Sequence, residues 1–305
     1  MQVSVPSFAK LNLDLRVLHK RPDGYHELRT IFQTISLKDT LRVEFDFAKR
    51  TQIDLSSSID IEDNIVVRAA KLVLEHLRVR AWVRFALDKQ IPLGAGLGGG
   101  SSNAAAVLIA LPALAGKHLP FSTQVRFAES LGSDVPFFLR GGTALGLGRG
   151  TELYPLPDLP SHHALVVSTG IHVSTLAAYG LLRRDVTDAL TSPDESPILR
   201  EFQTIAWDLK GSRLDQLPLK NDFEEVVFKI HPELAIVVRK LRKLGARPAR
   251  MTGSGSAIFG VFPNAASARA AAGHFPAARV HAVRFVTRRQ YRSLWCRALS
   301  SVLEA

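Results

Sequence analysis

A glycine-rich segment carries the clearest chemical signal in this chain. Residues 91–106 read IPLGAGLGGGSSNAAA, with five glycines in the seven positions from Gly94 to Gly100. Glycine lets the backbone approach a ligand closely, and the free amide groups at the start of a helix carry partial positive charge. The segment therefore predicts a phosphate-binding loop at the beginning of an alanine-rich helix.

Two familiar nucleotide-binding patterns do not fit this loop. Its glycines match G-x-G-x-x-G, but a dinucleotide fold needs an acidic residue about 20 positions further on. No acidic residue occurs between Asp88 and Glu129. A Walker A loop ends in a lysine, and none follows the glycines before Lys117. A mobile surface loop is the remaining alternative, and a flexible linker seldom leads directly into an apolar helix.

Other polar residues could take part in the same chemistry. Lys10 and Asn12 are two apart, so they project from one face of a strand. Burying an unpaired cation is costly, so Lys10 points either to solvent or to an anion, and both remain open. Asp134 lies between a helix end and an apolar run. It is either a cap or turn residue, or it lines a cleft, where it could accept a hydroxyl proton.

Two turn-like segments complete the set of candidates. Residues 23–26 read DGYH, a tight turn followed by an aromatic ring and an imidazole. Residues 252–257 read TGSGSA and precede an apolar run. The second segment is either another anion-binding turn or an ordinary hairpin.

The elements that must position these residues are of mixed type. A strand is expected at residues 82–87 before the glycine loop, and Ser101 or Ser102 could cap the helix after it, which Pro112 or Gly116 could end. Strands are also expected within 3–17, 30–47 and 164–168, helices at 64–77, 122–131, 173–182, 224–230, 233–244 and 290–305, and a loop at 185–197.

Composition bounds the class of protein. The 305 residues are 46% hydrophobic and 22% charged, as in a soluble enzyme with a substantial core. Three prolines within 155–160 suggest a division into domains at 1–154 and 155–305. The single cysteine, Cys296, excludes a disulfide framework and favours the cytoplasm. The ten histidines are scattered, so we predict no structural metal.

The formal net charge of +11 is compatible with a nucleic acid, an anionic membrane surface or a polyphosphate substrate. The basic stretches at 239–250 and 284–297 contain few aromatic residues, which favours solvated helix faces over base stacking. The uncharged stretch at 90–116 is interrupted by glycines and Pro112, and the first residues lack the plan of a signal peptide. We therefore predict neither a nucleic-acid nor a membrane partner.

The motifs resemble those of the GHMP kinase superfamily over nearly the whole chain. The matching segments are AKLNL at 9–13, the loop at 92–104 and TGSGSA at 252–257, in the same order. The resemblance implies an α+β fold of two domains. The first would be similar to ribosomal protein S5 domain 2, and the active site would lie in the interdomain cleft. Segments DGYH at 23–26, SDVPFF at 133–138 and NDFE at 221–224 resemble the superfamily members that act on a cytidyl diphosphate sugar alcohol in isoprenoid precursor synthesis.

The resemblance also implies roles for individual residues. The γ-phosphoryl group of ATP would pass to a hydroxyl group, with Asp134 accepting the proton and Lys10 stabilising negative charge. Mg²⁺ would accompany ATP near Ser101 or Ser102. The implied ATP-binding residues are Asn64, Pro92, Gly94, Ala95, Gly96, Leu97, Gly98, Gly99, Gly100, Ser101 and Ser102. The implied substrate-binding residues are Asn12, Tyr25, His26, Asp134 and Tyr179.

Three alternatives to this function remain. A catalytically silent protein of the same fold would bind a small ligand, although the presence of both Lys10 and Asp134 argues against it. A nucleic-acid-binding module would make use of the positive charge. Another small-molecule kinase of the superfamily would share the mechanism and differ in acceptor. As for assembly, we expect a monomer or a weak homodimer.

Overall fold

The computed structural model describes residues 1–59, 63–182, 195–211 and 213–303. These residues form a six-stranded and a four-stranded β-sheet with helices packed on them. The first sheet comprises β1 (Gln2–Lys20), β2 (His26–Phe47), β3 (Gln52–Ser57), β4 (Ala81–Asp88), β5 (Thr143–Gly148) and β6 (Glu152–Pro155), and the second comprises β7 (His163–Ser168), β8 (Ala249–Met251), β9 (Ile258–Phe262) and β10 (Arg279–Arg284).

The helices lie between and after these strands along the chain. They are α1 (Ile65–Leu77), α2 (Gly99–Leu114), α3 (Phe121–Leu131), α4 (Thr175–Leu182), α5 (Glu195–Asp208), α6 (Phe223–Ile230), α7 (Pro232–Lys243), α8 (Ala265–Ala272) and α9 (Arg288–Leu303), with a short 3₁₀ helix at Pro136–Leu139. In the described residues, α4 to α7 follow one another without a strand between them. The strands and helices expected from the sequence are confirmed, with bounds that differ by a few residues. The loop expected at 185–197 lies largely outside the described residues, and its last three residues belong to α5.

Strand β1 connects the cores of the molecule. It pairs with β2 in an antiparallel register that shifts between Phe8 and Ala9 and again between Asn12 and Asp14. Before the first shift its apolar residues pack into the core of the first sheet, whereas Leu11 packs into a second core shared with β7 and β9, and Val17 into a third. Because each irregularity turns the strand, one strand presents side chains to all three cores.

The second sheet is antiparallel throughout, in the order β10-β7-β9-β8. It is joined to the first through a bridge between Ile35 and Phe285. The amide of Val286 also donates to the Thr34 carbonyl at 2.9 Å. These contacts hold the second sheet against β2 at Thr34 and Ile35, and Thr34 is the residue of β2 that pairs with Lys10.

The glycine loop ends differently from the sequence-based expectation. Helix α2 begins at Gly99 with Gly98 as its N-cap, and no side chain caps it, so the prediction that Ser101 or Ser102 caps this helix is wrong. Gly98 has φ of 71°, and this left-handed turn starts the helix before the serines are reached. Pro112 is inside the helix, whereas Gly116 ends it as predicted: Ala115 is the C-cap, Gly116 follows with φ of 61°, and the Gly116 and Lys117 amides donate to the carbonyls of Ala113 and Pro112. Pro112 is buried, and the helix continues past the missing amide of this proline.

Helix α9 returns to the first half of the molecule. Tyr291, Trp295 and Leu299 are buried in the core of the first sheet. The division at 154 and 155 falls one residue before the end of β6, the last strand of the first sheet along the chain, and it stays a prediction as a domain boundary. The packing of α9 places the end of the chain with the first unit instead of the second. No helix in the described ranges is both long and apolar enough to cross a membrane.

Candidate active site

Lys10 and Asn12 lie side by side on β1 and face Asp134. The Lys10 ammonium donates to Asn12 Oδ1 at 2.6 Å and lies 3.2 Å from Asp134 Oδ2. The lysine side chain is 4% exposed and the carboxylate 32% exposed. Of the two alternatives that the sequence left open for Lys10, the structure shows the second, in which the side chain points to an anion. The charge of that anion, the Asp134 carboxylate, offsets the cost of burying the ammonium.

Asp134 lies in the turn between α3 and the 3₁₀ helix. No side chain caps that 3₁₀ helix, so Asp134 does not have the capping role that the sequence allowed. Its carboxylate instead lines a large cavity together with Lys10 and Asn12. A carboxylate that is partly exposed to a cavity and paired with a buried cation is placed to receive a proton from a bound ligand.

The glycine loop passes directly beside this pair. The amide of Lys10 donates to the Leu97 carbonyl at 3.0 Å, which fixes the loop to β1. The first bond of the α2 series runs from the Ser102 amide to the Gly98 carbonyl at 2.9 Å. The amides of Gly99, Gly100 and Ser101 precede that bond at the positive end of the helix dipole, where anions bind.

The second glycine-serine segment is both a hairpin turn and a wall of the site. It joins the antiparallel strands β8 and β9 and packs against the glycine loop. The Ala257 amide donates to the Ala95 carbonyl at 3.2 Å, and the Asn12 amide donates to Thr252 Oγ1 at 2.9 Å. At Gly96, where φ is 77°, an added Cβ would lie 2.3 Å from the Thr252 carbonyl oxygen. The two segments thus meet without room for a side chain.

Two cavities meet at the glycine loop. The larger has a volume of about 820 Å³ and contains Lys10 and Asp134, and the smaller has a volume of about 310 Å³ and lies between the loop, Ile65 and Lys89. Both volumes lie within the range of small-molecule sites. Gly94, Gly96 and Ser101 line both cavities. The loop is therefore the boundary across which two bound ligands could react.

Aromatic residues occupy the far end of the larger cavity. The rings of His26 and Tyr179 stack at a centroid distance of 4.7 Å and an interplanar angle of 23°. Tyr25 is half exposed, with the Arg149 guanidinium 4.4 Å from its ring centroid. Burial, followed by the charges of Lys20 and His19, lowers the pKa of His26. A neutral imidazole beside exposed aromatic faces suits the recognition of a planar heterocycle.

The charges that face the larger cavity are mainly positive. Lys10, Lys20 and Arg149 line it together with a single carboxylate from the described residues, that of Asp134. Burial, with an additional effect of the Asp134 charge, raises the pKa of Tyr179 above its usual value, so the tyrosine stays neutral. A cavity of this charge attracts anionic ligands such as phosphate esters.

Most of the residues implied by the resemblance gather around the two cavities, with two exceptions. Asn64 lines neither, since its Oδ1 accepts from the Val66 amide at 3.0 Å and caps α1. It lies beside Ile65, which does line the smaller cavity. Ser102 is buried, and its hydroxyl has no hydrogen-bond partner among the described residues. Ser101, not Ser102, presents its side chain to the cavities.

A buried polar cluster that the sequence did not predict holds the two ends of the glycine loop together. Asp39 Oδ1 accepts from the amides of Gln90 and Ile91, both at 2.8 Å. Its Oδ2 accepts from the Lys89 ammonium and from the Asn103 carboxamide, which lies in the first turns of α2. Asp39 thereby joins the strand before the loop to the helix after it. No local pattern marks this residue, because its partners lie about 50 to 64 positions away.

Comparisons with known proteins agree with this geometry. Residues 64–142 match the model of the GHMP kinases N terminal domain, and residues 198–280 match GHMP kinases C terminal. The solved homoserine kinase from Cytophaga hutchinsonii superposes with a TM-score of 0.71 over 94% of this chain and 95% of its own, at 18% identity, which is a likeness of fold. The two-domain α+β fold of a GHMP kinase is therefore confirmed, and the chain is a small-molecule kinase that uses ATP.

Closer relatives narrow the assignment. The 4-diphosphocytidyl-2-C-methyl-D-erythritol kinase of Solibacter usitatus is 50% identical over 294 residues, which cover 96% of this chain and 92% of that protein. The corresponding protein of Thermodesulfovibrio yellowstonii is 35% identical over 98% of this chain and 97% of its own. A crystal structure of 4-(cytidine 5'-diphospho)-2C-methyl-D-erythritol kinase has a TM-score of 0.76 at 36% identity, covering 92% of this chain and 98% of that one. This chain belongs to the 4-diphosphocytidyl-2-C-methyl-D-erythritol kinase family.

Proposed function

We propose that this enzyme transfers the γ-phosphoryl group of ATP to the 2-hydroxyl of 4-diphosphocytidyl-2-C-methyl-D-erythritol, giving the 2-phosphate and ADP in the non-mevalonate route to isoprenoid precursors. The observation that carries the proposal is the placement of the Lys10 and Asp134 pair. It lies between a glycine loop suited to phosphates and an aromatic cluster suited to a nucleobase. One cavity thus contains groups suited to both ends of such an acceptor, its cytosine and the hydroxyl that receives the phosphoryl group.

The transfer step uses the two charged groups in complementary ways. Asp134 accepts the proton as the O–H bond of the acceptor breaks and the new P–O bond forms at the γ-phosphorus. The bond to the β–γ bridging oxygen breaks, and ADP leaves with that oxygen. Lys10 lies within reach of the same hydroxyl and stabilises negative charge on the transferred group. Asn12 holds the ammonium in place, because its Oδ1 accepts from Lys10 while its Nδ2 donates to Thr30 at 2.7 Å.

ATP fits the smaller cavity and the loop. The adenine lies near Ile65 and the capping residue Asn64, and the triphosphate runs along residues 94–101. Mg²⁺ prefers oxygen ligands and keeps several waters, so the Ser101 hydroxyl beside the phosphates suits it. Bound with ATP, the ion would neutralise charge on the phosphate oxygens.

The acceptor fits the larger cavity. Its cytosine lies among Tyr25, His26 and Tyr179, and its diphosphate passes the cations that line the wall. We propose that the enzyme works in the cytoplasm as a monomer or weak homodimer, with small molecules and not nucleic acid as partners. The positive charge then serves to attract polyphosphates.

The assignment is tested by measuring ADP release in a coupled assay. Turnover with 4-diphosphocytidyl-2-C-methyl-D-erythritol should exceed turnover with mevalonate, homoserine or galactose, because only the first carries a cytosine for the aromatic cluster. Turnover with another acceptor alone would refute this substrate while leaving the kinase class intact. A salt-dependent gel shift with RNA or duplex DNA, in the absence of turnover, would favour a nucleic-acid-binding module.

The two loop serines should respond differently to removal of their hydroxyls. Ser101→Ala should raise the Mg²⁺ concentration for half-maximal rate by about 10- to 150-fold, since an interaction with a charged group is worth about 1.5–3 kcal/mol. Ser102→Ala is the matched control, and it should change this concentration little because the Ser102 hydroxyl is buried and has no hydrogen-bond partner in the part of the chain that the structure describes. Equal effects of the two substitutions on the Mg²⁺ titration would contradict the assignment.

Acceptor binding should depend on pH through His26. Because its pKa is lowered below the ordinary value of 6.5, the imidazole stays neutral as pH falls through that value. The acceptor KM should stay constant from about pH 8 through that value, then rise at lower pH as the imidazolium forms. His26→Gln should flatten this dependence, while the KM for ATP should not follow it. A rise in acceptor KM that begins near neutral pH would show that His26 does not control it.

A further inference from the structure

The segment Asn221 to Glu224 has no part in the transfer step, yet it lies between the two ends of the site. It forms the start of α6 and is attached to β1 by two backbone bonds. The Leu15 amide donates to the Lys220 carbonyl at 2.8 Å, and the Asp222 amide donates to the Leu15 carbonyl at 3.0 Å. The start of α6 is therefore fixed three residues along the strand from Asn12.

Asn221 holds the turn that closes on the glycine loop. Its buried carboxamide nitrogen donates to the carbonyls of Met251 at 2.8 Å and Gly253 at 2.9 Å, and its Oδ1 accepts from the Phe223 amide at 3.0 Å. Both partners of the nitrogen are acceptors, so a carboxamide satisfies them and a carboxylate of the same shape would repel them. The Met251 amide also donates to Glu224 Oε1 at 2.7 Å.

That turn sets the position of the phosphate-binding parts of the site. Thr252, between the two clamped carbonyls, accepts the Asn12 amide through its hydroxyl and contacts Gly96 through its own carbonyl. A shift of the turn would displace the glycine loop and the strand that carries Lys10 together. Asn221 thus acts on the phosphate end of the site through the turn.

Phe223, two residues further on, acts on the other end. Its buried ring meets the Tyr179 ring edge to face, at a centroid distance of 4.8 Å and an angle of 89°. Tyr179 in turn stacks on His26. Edge-to-face pairs fix the orientation of a ring, so Phe223 sets the plane against which a nucleobase can pack.

We propose that the start of α6 is a positioning element that fixes the placement of the phosphate-transfer point and of the nucleobase stack relative to each other. Asn221 anchors the first and Phe223 the second. Because the two residues share one rigid helix start, the two subsites keep a constant spacing. The identity of the acceptor rests on the proposed function, whereas the anchoring of two subsites can be tested on binding alone.

The test separates the two ends with two probes. Binding of a non-hydrolysable ATP analogue reports on the loop, and binding of CDP reports on the aromatic cluster, both measured by calorimetry on the full chain. Asn221→Asp should weaken binding of the ATP analogue about tenfold, since two hydrogen bonds to the turn are lost. The affinity for CDP should stay unchanged. Phe223→Leu should weaken binding of CDP about three- to tenfold and leave the affinity for the ATP analogue unchanged.

The effects of the two substitutions on kcat and on the acceptor KM should separate in the same way. Asn221→Asp should lower kcat with the acceptor KM unchanged, and Phe223→Leu should raise the acceptor KM with kcat unchanged. Asn264→Ala is the matched control, since this asparagine also bonds a backbone amide, that of Ser267 at 2.9 Å, but at the start of α8. It should leave both probes and both kinetic constants unchanged. Melting curves check folding, and Asn221→Ala replaces Asn221→Asp if the latter does not fold.

The outcomes are distinct. If either substitution weakens binding of both probes equally, or weakens binding of neither, the segment has only a structural role and the proposal is wrong. A wild-type chain that binds both probes but does not phosphorylate the acceptor would refute the proposed function, while the division of binding between the variants would still decide the positioning role. A wild-type chain that does not bind CDP would overturn both.

Discussion

Replacing Asp134 by asparagine should lower kcat by about 10² to 10⁴, the usual contribution of a positioned general base. Asparagine keeps the shape of the side chain but cannot take the proton of the acceptor hydroxyl. Because Lys10 lies 3.2 Å from Asp134 Oδ2, the substitution also removes the nearest counter-charge of a buried ammonium. The KM for ATP should change much less than kcat, since the loop that binds the triphosphate is intact.

The control for this substitution is Asp46→Asn, which removes an exposed carboxylate that pairs with Arg84 on the first sheet. It should leave steady-state kinetics unchanged, because exposed ion pairs contribute about 0–1 kcal/mol and Asp46 lines neither cavity. Melting curves of both variants separate a loss of chemistry from a loss of folded protein. Unchanged turnover in Asp134→Asn would refute the assignment of the base.

Replacing Gly96 by alanine should lower the rate nearly as much as replacing Asp134 does, because the added methyl group would displace the glycine loop. The new Cβ would lie 2.3 Å from the Thr252 carbonyl oxygen, and the φ of 77° is unfavourable for any residue but glycine. The loop and the 252–257 turn must then separate. Since a misplacement of about 1 Å can cost about 10²-fold in rate, Gly96→Ala should lower kcat/KM for ATP by about that factor.

Gly100→Ala provides a matched control within the same loop. Gly100 lies in the first turn of α2, and an added Cβ would meet no atom within 4 Å. Its kcat/KM for ATP should therefore fall much less than that of Gly96→Ala, because the contact between the loop and the 252–257 turn stays intact, and the better helix propensity of alanine should add a small gain in stability. Equal losses in Gly96→Ala and Gly100→Ala would show that the loop is sensitive to any substitution and that the contact with Thr252 is not the cause.

Local patterns predicted the parts of the site that depend on neighbouring residues. The glycine loop before an apolar helix, and Lys10 and Asn12 on one strand face, are both present. They could be predicted because backbone conformation and strand alternation act over a few residues. Where capping by a serine competed with a left-handed glycine, the glycine began the helix, so even a local rule failed when two signals overlapped.

Asp134 shows what local patterns leave open. Its sequence context allowed a cap or turn residue as well as a cleft residue, and its pairing with Lys10 spans 124 positions. Asp39 lies in no motif, and the NDFE segment that contains Asn221 does not indicate its role, since each residue bonds backbone groups that come near only after the strands pair. The packing of α9 on the first core likewise depends on surfaces built by distant residues.

The order of residues along the chain was enough to give the phosphate-binding loop, the elements around it and the family resemblance, because these follow from backbone freedom and side-chain alternation within short segments. Folding in three dimensions settled which way Lys10 points, which serine faces the cavities and which turn closes on Gly96. Those outcomes depend on contacts between β1, α2, the start of α6 and the β8–β9 turn. Such contacts form between segments up to 240 positions apart, a separation at which a sequence pattern carries no geometric information.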